Sequence, residues 1–336
     1  MGSRLRAVRP APDRLRNSPL SKPDILAAAK LHPFFLKALE ASYTVHDRTH
    51  VSDPAAFAQL APRIVAVAAA GESLVPADLL ARLPNAKVVS VFGVGYDGVD
   101  VPAAIRHGIP VTHTPDVLTD DVADLALGLV LSIGRTIPQA DQFVRQGRWP
   151  QGPIALARKV SGARLGIVGL GRIGSAIARR AQGFGMSIAY TARTEKPASG
   201  YVYHPSAAAL AAHVDFLVVI TPGGAGTRHL IDAKVLQALG PRGYLVNVAR
   251  GSVVDEAALI EALKTGTIAG AALDVYADEP NVPQALWSMP NVVLTPHMAS
   301  ATHETRQAMA DLAYANLHAG VTGAPLRTPV PECAAR

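Results

Sequence analysis

The sequence predicts an α/β fold in which parallel sheets carry helices on their faces. Short apolar runs alternate with helical patterns through most of the chain, and residues 63–70 are almost continuously apolar. Such a run suits a strand that is buried on both faces of a parallel sheet. Residues 164–193 place an apolar run, a glycine-rich turn, a helical pattern and a second apolar run in succession. That order is the repeating unit of a parallel sheet, and 336 residues are enough for two domains built from it.

Composition narrows the class of protein further. The chain is 49% hydrophobic and 17% charged, as expected for a soluble globular protein with sizeable cores. The sequence has no charge-free apolar run long enough to cross a bilayer, so we expect no membrane partner. Its one cysteine, Cys333, excludes an internal disulfide and suggests neither a cysteine metal site nor a thiol nucleophile. We therefore expect a cytoplasmic protein without a bound metal.

The net charge of +6 comes almost entirely from the first 22 residues. This Pro- and Arg-rich segment has Asp13 as its one acid, against Arg4, Arg6, Arg9, Arg14, Arg16 and Lys22. We predict a disordered basic tail over residues 1–22. An upstream start, a targeting segment and a nucleic-acid arm are the alternatives. Since the remaining chain is close to neutral, we expect no nucleic-acid partner.

The elements before the glycine-rich turn form a first α/β unit. Strands are predicted at residues 24–28, 42–46, 63–70, 87–92 and 110–113, and helices at 32–40, 76–83 and 101–107. One long helix is predicted over residues 119–146, with Thr119 as its N-cap and three aspartates near its start. Because this helix is long and apolar, we expect one of its faces to pack against a second subunit in a homodimer.

The turn at residues 169–174 reads Gly-Leu-Gly-Arg-Ile-Gly, between a strand and a helix. In that context Gly169 permits a tight turn, Gly171 lets a pyrophosphate approach the backbone, and Gly174 lets the helix pack on the strand. The N-terminus of the helix offers unpaired N–H groups to the phosphates. We therefore predict a dinucleotide site that includes Gly169, Leu170, Gly171, Arg172, Ile173 and Gly174.

The end of the next strand indicates which dinucleotide is bound. An NAD site expects an acidic residue there to bind the adenosine ribose, but Thr191 and Ala192 occupy those positions. Arg193 follows, where a guanidinium can meet a ribose phosphate, and Thr194 adds a hydroxyl. Glu195 is the counter-argument, since its carboxylate could bind a ribose. We predict a preference for NADP(H), with NAD(H) as the alternative.

The second unit continues to the end of the chain. Strands are predicted at residues 214–220, 244–248, 268–274 and 291–295, and helices at 232–239, 255–265 and 302–318. The last helix is expected to pack back on the first unit. We therefore predict a substrate-binding domain formed by residues 23–116 and 301–336, and a Rossmann-like dinucleotide-binding domain over residues 117–300.

Polar side chains follow three of these later strands. Ligands of open α/β sheets bind at the carboxyl ends of strands, and Arg250, Glu279 and His297 each follow such an end. An arginine can bind a substrate carboxylate and polarise the neighbouring ketone. A protonated histidine can donate to the forming alkoxide, and a carboxylate can hold that imidazole in its charged form. These three side chains are candidates for reducing a carbonyl beside a nicotinamide.

Several motifs together resemble the D-isomer-specific 2-hydroxyacid dehydrogenases over about residues 23–330. They are VGYD at 94–97, GLGRIG at 169–174, NVARG at 247–251, VDE at 254–256, DVYADEP at 274–280 and TPH at 295–297. The resemblance implies two similar α/β domains, Rossmann-like or flavodoxin-like, with a cleft between them, and a dimer.

The resemblance also implies roles for individual residues. Arg250, Glu279 and His297 would be the catalytic set, and the substrate would meet Arg250, His297 and the backbone N–H groups of Val94 and Gly95. Asp274 would contact the nicotinamide amide. The other residues implied to line the cofactor are Thr119, Thr221, Pro222, Val248 and Ala249.

Residues 114–124 resemble the glyoxylate/hydroxypyruvate and hydroxyphenylpyruvate reductase branch. We therefore predict NADPH-dependent reduction of small 2-keto acids, such as hydroxypyruvate and glyoxylate, to D-2-hydroxy acids. Phenylpyruvate-type substrates are the alternative within the family. A dinucleotide-sensing, corepressor-like binding protein is the alternative from another class. Five further residues are candidates for shaping the substrate pocket: Ala70, Phe92, Tyr96, Trp149 and Met298.

Overall fold

The computed structural model describes residues 22–71 and 73–334, and its strands form two sheets. The first contains β1 Asp24–Ala27, β2 Thr44–Asp47, β3 Ile64–Ala70, β4 Val89–Phe92 and β5 Val111–Thr112. The second contains β6 Arg164–Val168, β7 Ser187–Thr191, β8 Val202–Tyr203, β9 Phe216–Val219, β10 Tyr244–Asn247, β11 Gly270–Leu273 and β12 Val292–Leu294.

Helices connect and flank these strands. Up to the glycine-rich turn they are α1 Pro33–Ser42, α2 Thr49–Ser52, α3 Pro54–Leu60, α4 Ala77–Ala81, α5 Val101–Arg106, α6 Thr119–Gly134 and α7 Ile137–Arg145. Beyond it they are α8 Arg172–Gln182, α9 Ala207–Ala211, α10 Ala233–Leu239, α11 Glu256–Lys264, α12 Gln284–Trp287, α13 His303–Thr322 and α14 Pro331–Ala334. Short 3-10 turns lie at Ala61–Arg63, Trp149–Gln151, Pro197–Ser199 and Gly251–Val253.

Both sheets are parallel, and their strand orders confirm the predicted fold class. The first sheet has the order β2-β1-β3-β4-β5, which is flavodoxin-like. The second has the order β12-β11-β10-β9-β6-β7-β8, which is a Rossmann arrangement with one extra strand. In the second sheet, β7 and β8 are added on one side of β6, and β9 to β12 are added on its other side. The order of strand addition therefore reverses between β6 and β9. Such a switch point opens a crevice for a ligand at the carboxyl ends of the strands.

The long helices α6 and α13 each pack on one sheet. Helix α6 contributes Ala126 and Val130 to the core over the second sheet, where Leu165 is fully buried. Helix α13 packs on the first sheet, and the Ser90 hydroxyl donates to the Ala313 carbonyl at 2.8 Å. The last helix therefore covers the earliest strands of the chain, although the domain boundaries at residues 116 and 300 stay predictions.

The single long helix predicted over residues 119–146 is wrong. Two helices occupy this region, separated at Thr136, which has a left-handed φ of 49°. Pro138 follows in the first turn of α7 and lacks the N–H that a continuous helix would need. The predicted N-cap is also displaced by one residue: Leu118 holds the cap position without a side-chain bond, and Thr119 is already helical.

Several short elements were missing from the sequence prediction, namely β8, α2, α3, α9, α12 and α14. Most have four or five residues, too few to establish a period. The predicted tail lies outside the described residues except for Lys22, whose ammonium group donates to the Glu40 carbonyl at 2.6 Å. Within the described part of the chain, helices long and apolar enough to cross a membrane are absent.

Candidate active site

The glycine-rich turn lies at the switch point of the second sheet and has the geometry of a phosphate-binding loop. Gly169 has a φ of 107°, and a Cβ there would lie 2.8 Å from the Ile220 carbonyl oxygen. A Cβ on Gly174 would overlap the Gly169 carbonyl, so helix α8 can pack this closely only with glycine. At Gly171 a Cβ would instead meet nothing within 4 Å. The backbone at Gly171 is thus open to a ligand.

Gly171 is also the N-cap of helix α8 and provides no side-chain acceptor for the N–H groups of the first turn. These donors and the positive end of the helix dipole face the same open space. Arg172 and Ile173 begin the helix, and the Arg172 guanidinium lies 3.0 Å from Asp116. The loop therefore has the open backbone and the free helix N-terminus that a dinucleotide pyrophosphate requires, and its role in binding the cofactor stays a prediction.

The loop after β7 brings cations to this site. Arg193 and Thr194 are exposed there. Lys196 donates from its side chain to the Leu170 carbonyl at 2.6 Å and from its backbone to the Tyr190 hydroxyl at 2.6 Å. These bonds fold the loop over the glycine-rich turn, and Lys196 adds a second positive charge beside Arg193.

Two further predicted cofactor segments follow neighbouring strands. Thr221 and Pro222 come after β9, and the Thr221 backbone nitrogen lies against Gly169. Val248 and Ala249 come after β10, where the Val248 N–H donates to the Val219 carbonyl at 3.2 Å. The structure thus brings both segments to the carboxyl edge that carries the glycine-rich turn. Thr119, at the start of α6, is half-buried.

Asp274 is buried at the end of β11, and its carboxylate organises the turn that follows β12. It accepts hydrogen bonds from the Thr295 hydroxyl at 2.6 Å and from the backbone N–H groups of Met298 and Ala299 at 2.9 and 3.0 Å. A carboxylate offers about four acceptor positions, so one remains beyond these three bonds. The sequence indicated the cofactor role but missed this structural one.

His297 and Glu279 form the central pair of the site. The His297 Nδ1 lies 2.7 Å from Glu279 Oε2, while Glu279 Oε1 accepts from the Tyr276 N–H at 2.9 Å. The His297 backbone has a left-handed φ of 48° and donates to the Asp274 carbonyl at 2.8 Å. Such a conformation costs of order 1 kcal/mol and persists only where neighbours impose it. Both ends of the Glu279 carboxylate are thereby occupied, which fixes the imidazole ring.

Arg250 reaches from the second sheet to the loop after β4. Its Nη1 donates to the Ala249 carbonyl at 2.8 Å, and a Cβ on Gly95 would overlap its Nη2. The Nε lies 3.4 Å from Asp97 Oδ1, and none of the described residues accepts a hydrogen bond from it. Arg250 is therefore close to the backbone of Val94 and Gly95, and its guanidinium can donate further hydrogen bonds to a ligand there. Asp97 belongs to the VGYD motif, but no pattern in the sequence indicated that it lies beside Arg250.

The loop of Val94 to Tyr96 is held from behind by residues that the sequence prediction missed. His113 Nδ1 lies 2.9 Å from the Val94 carbonyl, and burial lowers the pKa of His113. The Tyr96 hydroxyl donates to Glu332 at 3.0 Å. Burial, together with the Glu332 charge, raises the pKa of Tyr96 to about 12. Because Tyr96 and Glu332 are far apart in sequence, spacing could not reveal their contact.

The remaining pocket candidates are distributed unevenly. Phe92 is buried and Ala70 half-buried, paired at the carboxyl ends of β4 and β3. Met298 is 41% exposed beside His297. Trp149 is 67% exposed in the turn after α7, so the fold gives it no interior place in a pocket of its own subunit. Groups of three or more potential metal ligands are absent from the described residues.

Comparison with known proteins agrees with this geometry. Residues 127–299 match the NAD-binding domain of the D-isomer-specific 2-hydroxyacid dehydrogenases. A glyoxylate/hydroxypyruvate reductase A of Arabidopsis thaliana is 51% identical, over 76% of this chain and 81% of the relative. A 2-ketogluconate reductase of Gluconobacter oxydans is 44% identical over 92% and 99%.

A solved structure extends the likeness to nearly the whole chain. The NADPH-dependent glyoxylate/hydroxypyruvate reductase of Sinorhizobium meliloti, in complex with NADP and malonate, superposes with a TM-score of 0.86. It is 47% identical, and the match covers 93% of this chain and 98% of that one. On these grounds the chain belongs to the D-isomer-specific 2-hydroxyacid dehydrogenase family.

Proposed function

We propose that this protein is an NADPH-dependent reductase of small 2-keto acids, such as hydroxypyruvate and glyoxylate, and forms D-2-hydroxy acids. The observation that carries the proposal is that Arg250, Glu279 and His297 follow adjacent parallel strands of the second sheet and so lie at the same edge of it. Arg250 touches Gly95, and Glu279 holds His297. A cation for a carboxylate and a proton donor for an alkoxide are what reduction of a 2-keto acid requires.

In this proposal the substrate carboxylate binds between Arg250 and the backbone N–H groups of Val94 and Gly95. Within the described part of the chain no group accepts a hydrogen bond from the Arg250 Nε, although Asp97 lies 3.4 Å away, and the Nη2 lies against Gly95. The guanidinium can therefore donate two hydrogen bonds to a carboxylate. The same guanidinium polarises the adjacent ketone. Residues 23–116 and 301–336 would then form the substrate-binding domain, and residues 117–300 the dinucleotide-binding domain.

His297 would protonate the ketone oxygen as it becomes an alkoxide. Its Nδ1 lies 2.7 Å from Glu279 Oε2, and we propose that the Nε2 donates the proton to the substrate. Glu279 stabilises the charged imidazolium and sets the orientation of the ring. A bound nicotinamide supplies the hydride. Asp274, with one acceptor position left, would receive the nicotinamide amide.

For the cofactor we propose NADP(H), with NAD(H) as a weaker alternative. Arg193 and Thr194 follow β7, where the adenosine ribose of a dinucleotide lies, and Lys196 brings a second cation to the same loop. The S. meliloti relative holds NADP in its structure. An Arg193→Ala variant should raise the KM for NADPH by at least about 10-fold and leave that for NADH within about threefold. An unchanged ratio of the two constants would refute the phosphate-binding role.

The substrate class can be tested with one panel. Purified protein would be assayed for loss of NADPH absorbance with glyoxylate, hydroxypyruvate, 4-hydroxyphenylpyruvate and 2-ketogluconate. We expect the two small acids to give the highest kcat/KM. Hydroxyphenylpyruvate is the alternative because a hydroxyphenylpyruvate reductase of Plectranthus scutellarioides is 50% identical. If none of the acids is reduced, the corepressor-like alternative would be favoured.

We also propose a homodimer. Helix α7 buries none of its residues, and exposed apolar side chains continue beyond it to Leu156, which is fully exposed. The surface consists of Ile137, Val144, Trp149, Ile154 and Leu156. Several exposed apolar side chains within one short segment of the chain favour an interaction site there. The single cysteine fits the cytoplasmic location that we expect.

Sedimentation velocity would test the dimer. A Leu156→Asp variant should sediment as a monomer at concentrations at which the unmodified protein is dimeric, because a buried charge is costly. Val51→Asp makes the same kind of change, from an apolar to a charged side chain, at an exposed site in the first part of the chain, and it should leave the dimer intact. A monomeric unmodified protein would refute the proposal.

A further inference from the structure

Arg306 is a charged side chain near the site for which the mechanism above has no use. It lies in the first turn of α13, nine positions after His297, and is half-buried. Its guanidinium carbon lies 5.7 Å from the centre of the Phe92 ring. Among the described residues, none accepts a hydrogen bond from this guanidinium or forms an ion pair with it. A half-buried cation without a carboxylate is costly unless a ligand compensates it.

The surroundings of Arg306 include residues of both sheets. Phe92 ends β4, two residues before Val94, and its ring stacks on those of His32 and Phe35, with centroid distances of 5.5 and 5.8 Å. The charge of Arg306 contributes, after burial, to lowering the pKa of His32. Burial lowers the pKa of Arg306 itself, and the charge of Asp274 opposes that shift. Arg306 is therefore within electrostatic reach of Phe92 on one sheet and of Asp274 on the other.

These neighbours lie on either side of the reacting centre. Phe92 leads into the loop proposed to bind the substrate carboxylate, and Asp274 accepts the hydrogen bonds that shape the turn carrying His297. Arg250 approaches the same loop through Gly95. A keto acid held by Arg250 and Val94 thus has a second cation available for the group beyond its ketone.

We propose that Arg306 determines substrate specificity by donating hydrogen bonds to a polar group on the carbon next to the ketone, such as the hydroxyl of hydroxypyruvate. The proposal rests on the proposed reductase function and adds to it a preference among 2-keto acids. The ring of Phe92 keeps the guanidinium in place and excludes water from one side of it. A substrate that carries a hydrogen or a methyl group in place of this hydroxyl leaves the guanidinium without a hydrogen-bond acceptor. The cost of that unpaired group discriminates against such a substrate more strongly than the gain from the hydroxyl favours hydroxypyruvate.

Hydroxypyruvate and pyruvate test this directly because they differ by one hydroxyl group. The ratio of their kcat/KM values would be measured with NADPH for the unmodified protein and for Arg306→Gln, Arg306→Lys and Gln307→Ala. Gln307 is the exposed neighbour on the same helix and serves as the control. We expect Arg306→Gln to lower this ratio about 10- to 100-fold, mainly because the kcat/KM for hydroxypyruvate falls. Arg306→Lys should restore part of it, and Gln307→Ala should leave it unchanged.

The outcomes separate this proposal from the function on which it rests. Turnover of hydroxypyruvate by the unmodified protein tests the reductase function. An unchanged ratio in Arg306→Gln, or an equal fall for both acids, would overturn the specificity role alone. Thermal melting and the Kd for NADPH, from fluorescence titration, identify a variant that has lost its fold or its cofactor site. If Arg306→Gln is unfolded, the ratio in Arg306→Lys decides, because loss of the guanidinium fork should still lower it severalfold.

Discussion

Replacing Glu279 by glutamine would change a charge in the centre of the candidate site and little else. The carboxylate lies 2.7 Å from His297 Nδ1 and accepts from the Tyr276 N–H at 2.9 Å. A glutamine side chain has the same shape, and its oxygen can keep the bond to Tyr276. Its NH₂ group must then face the imidazole, where it donates to Nδ1. The imidazole remains oriented, but its protonated form loses both an acceptor and a counter-charge.

The magnitude follows from the bond that is lost. A hydrogen bond to a charged group is worth about 1.5–3 kcal/mol, which corresponds to roughly a 10- to 100-fold fall in kcat. The KM for the keto acid should change by less than about threefold, because Arg250 is the residue proposed to bind the substrate carboxylate. The assay is NADPH oxidation with hydroxypyruvate at saturating cofactor, with single-turnover measurements to isolate the chemical step.

A matched change is available in the same region. Glu256 Oε2 accepts a hydrogen bond from the Ala277 backbone N–H at 3.2 Å, so Glu256→Gln alters a nearby carboxylate other than the one that contacts His297. It should retain kcat within about twofold. If Glu279→Gln kept full activity, or if both variants lost activity equally, the assignment of Glu279 as the partner of His297 would be refuted.

Three other substitutions probe separate parts of the molecule. Gly174→Ala places a methyl group on the Gly169 carbonyl and should raise the Kd for NADPH at least 10-fold in a fluorescence titration, with the keto-acid KM less affected. Gly95→Ala places a methyl group against the Arg250 guanidinium and forces it aside. Steady-state kinetics should show a higher KM for the keto acid, with the KM for NADPH less affected. Burial would raise the pKa of Asp24, but the hydrogen bonds of His46 and Arg63 outweigh it and lower this pKa. The stabilisation by Asp24 is thus present above pH 3.8 and lost as the pH falls through the lower folded value. Asp24→Asn should lower the free energy of unfolding, measured by urea denaturation, by about 1–3 kcal/mol at pH 7. It should also make the free energy of unfolding fall less steeply at acidic pH.

The sequence allowed the prediction of the features that depend on local pattern. The strand, turn and helix around the glycine-rich turn were predicted correctly, and the crowded Cβ positions of Gly169 and Gly174 show why glycine occupies those two positions. The break at Thr136 was missed because a single left-handed residue does not disturb an apolar period. The contact of Asp97 with Arg250 joins two sheets, and no short-range pattern encodes such a contact.

The sheet order explains why the catalytic candidates could be found before the structure was known. Strands β10, β11 and β12 are adjacent and in register, with Asn247 beside Leu273 and Leu273 beside Leu294. Residues that follow these strands must emerge at one edge, next to β9 and β6 with the glycine-rich turn. The loop of Val94 and Gly95 comes from the other sheet. A change in how the two sheets meet would therefore alter the distance from Arg250 to Gly95, and with it substrate binding. The distance from His297 to Glu279 lies within one sheet edge and would be preserved, so binding and proton transfer can be perturbed independently.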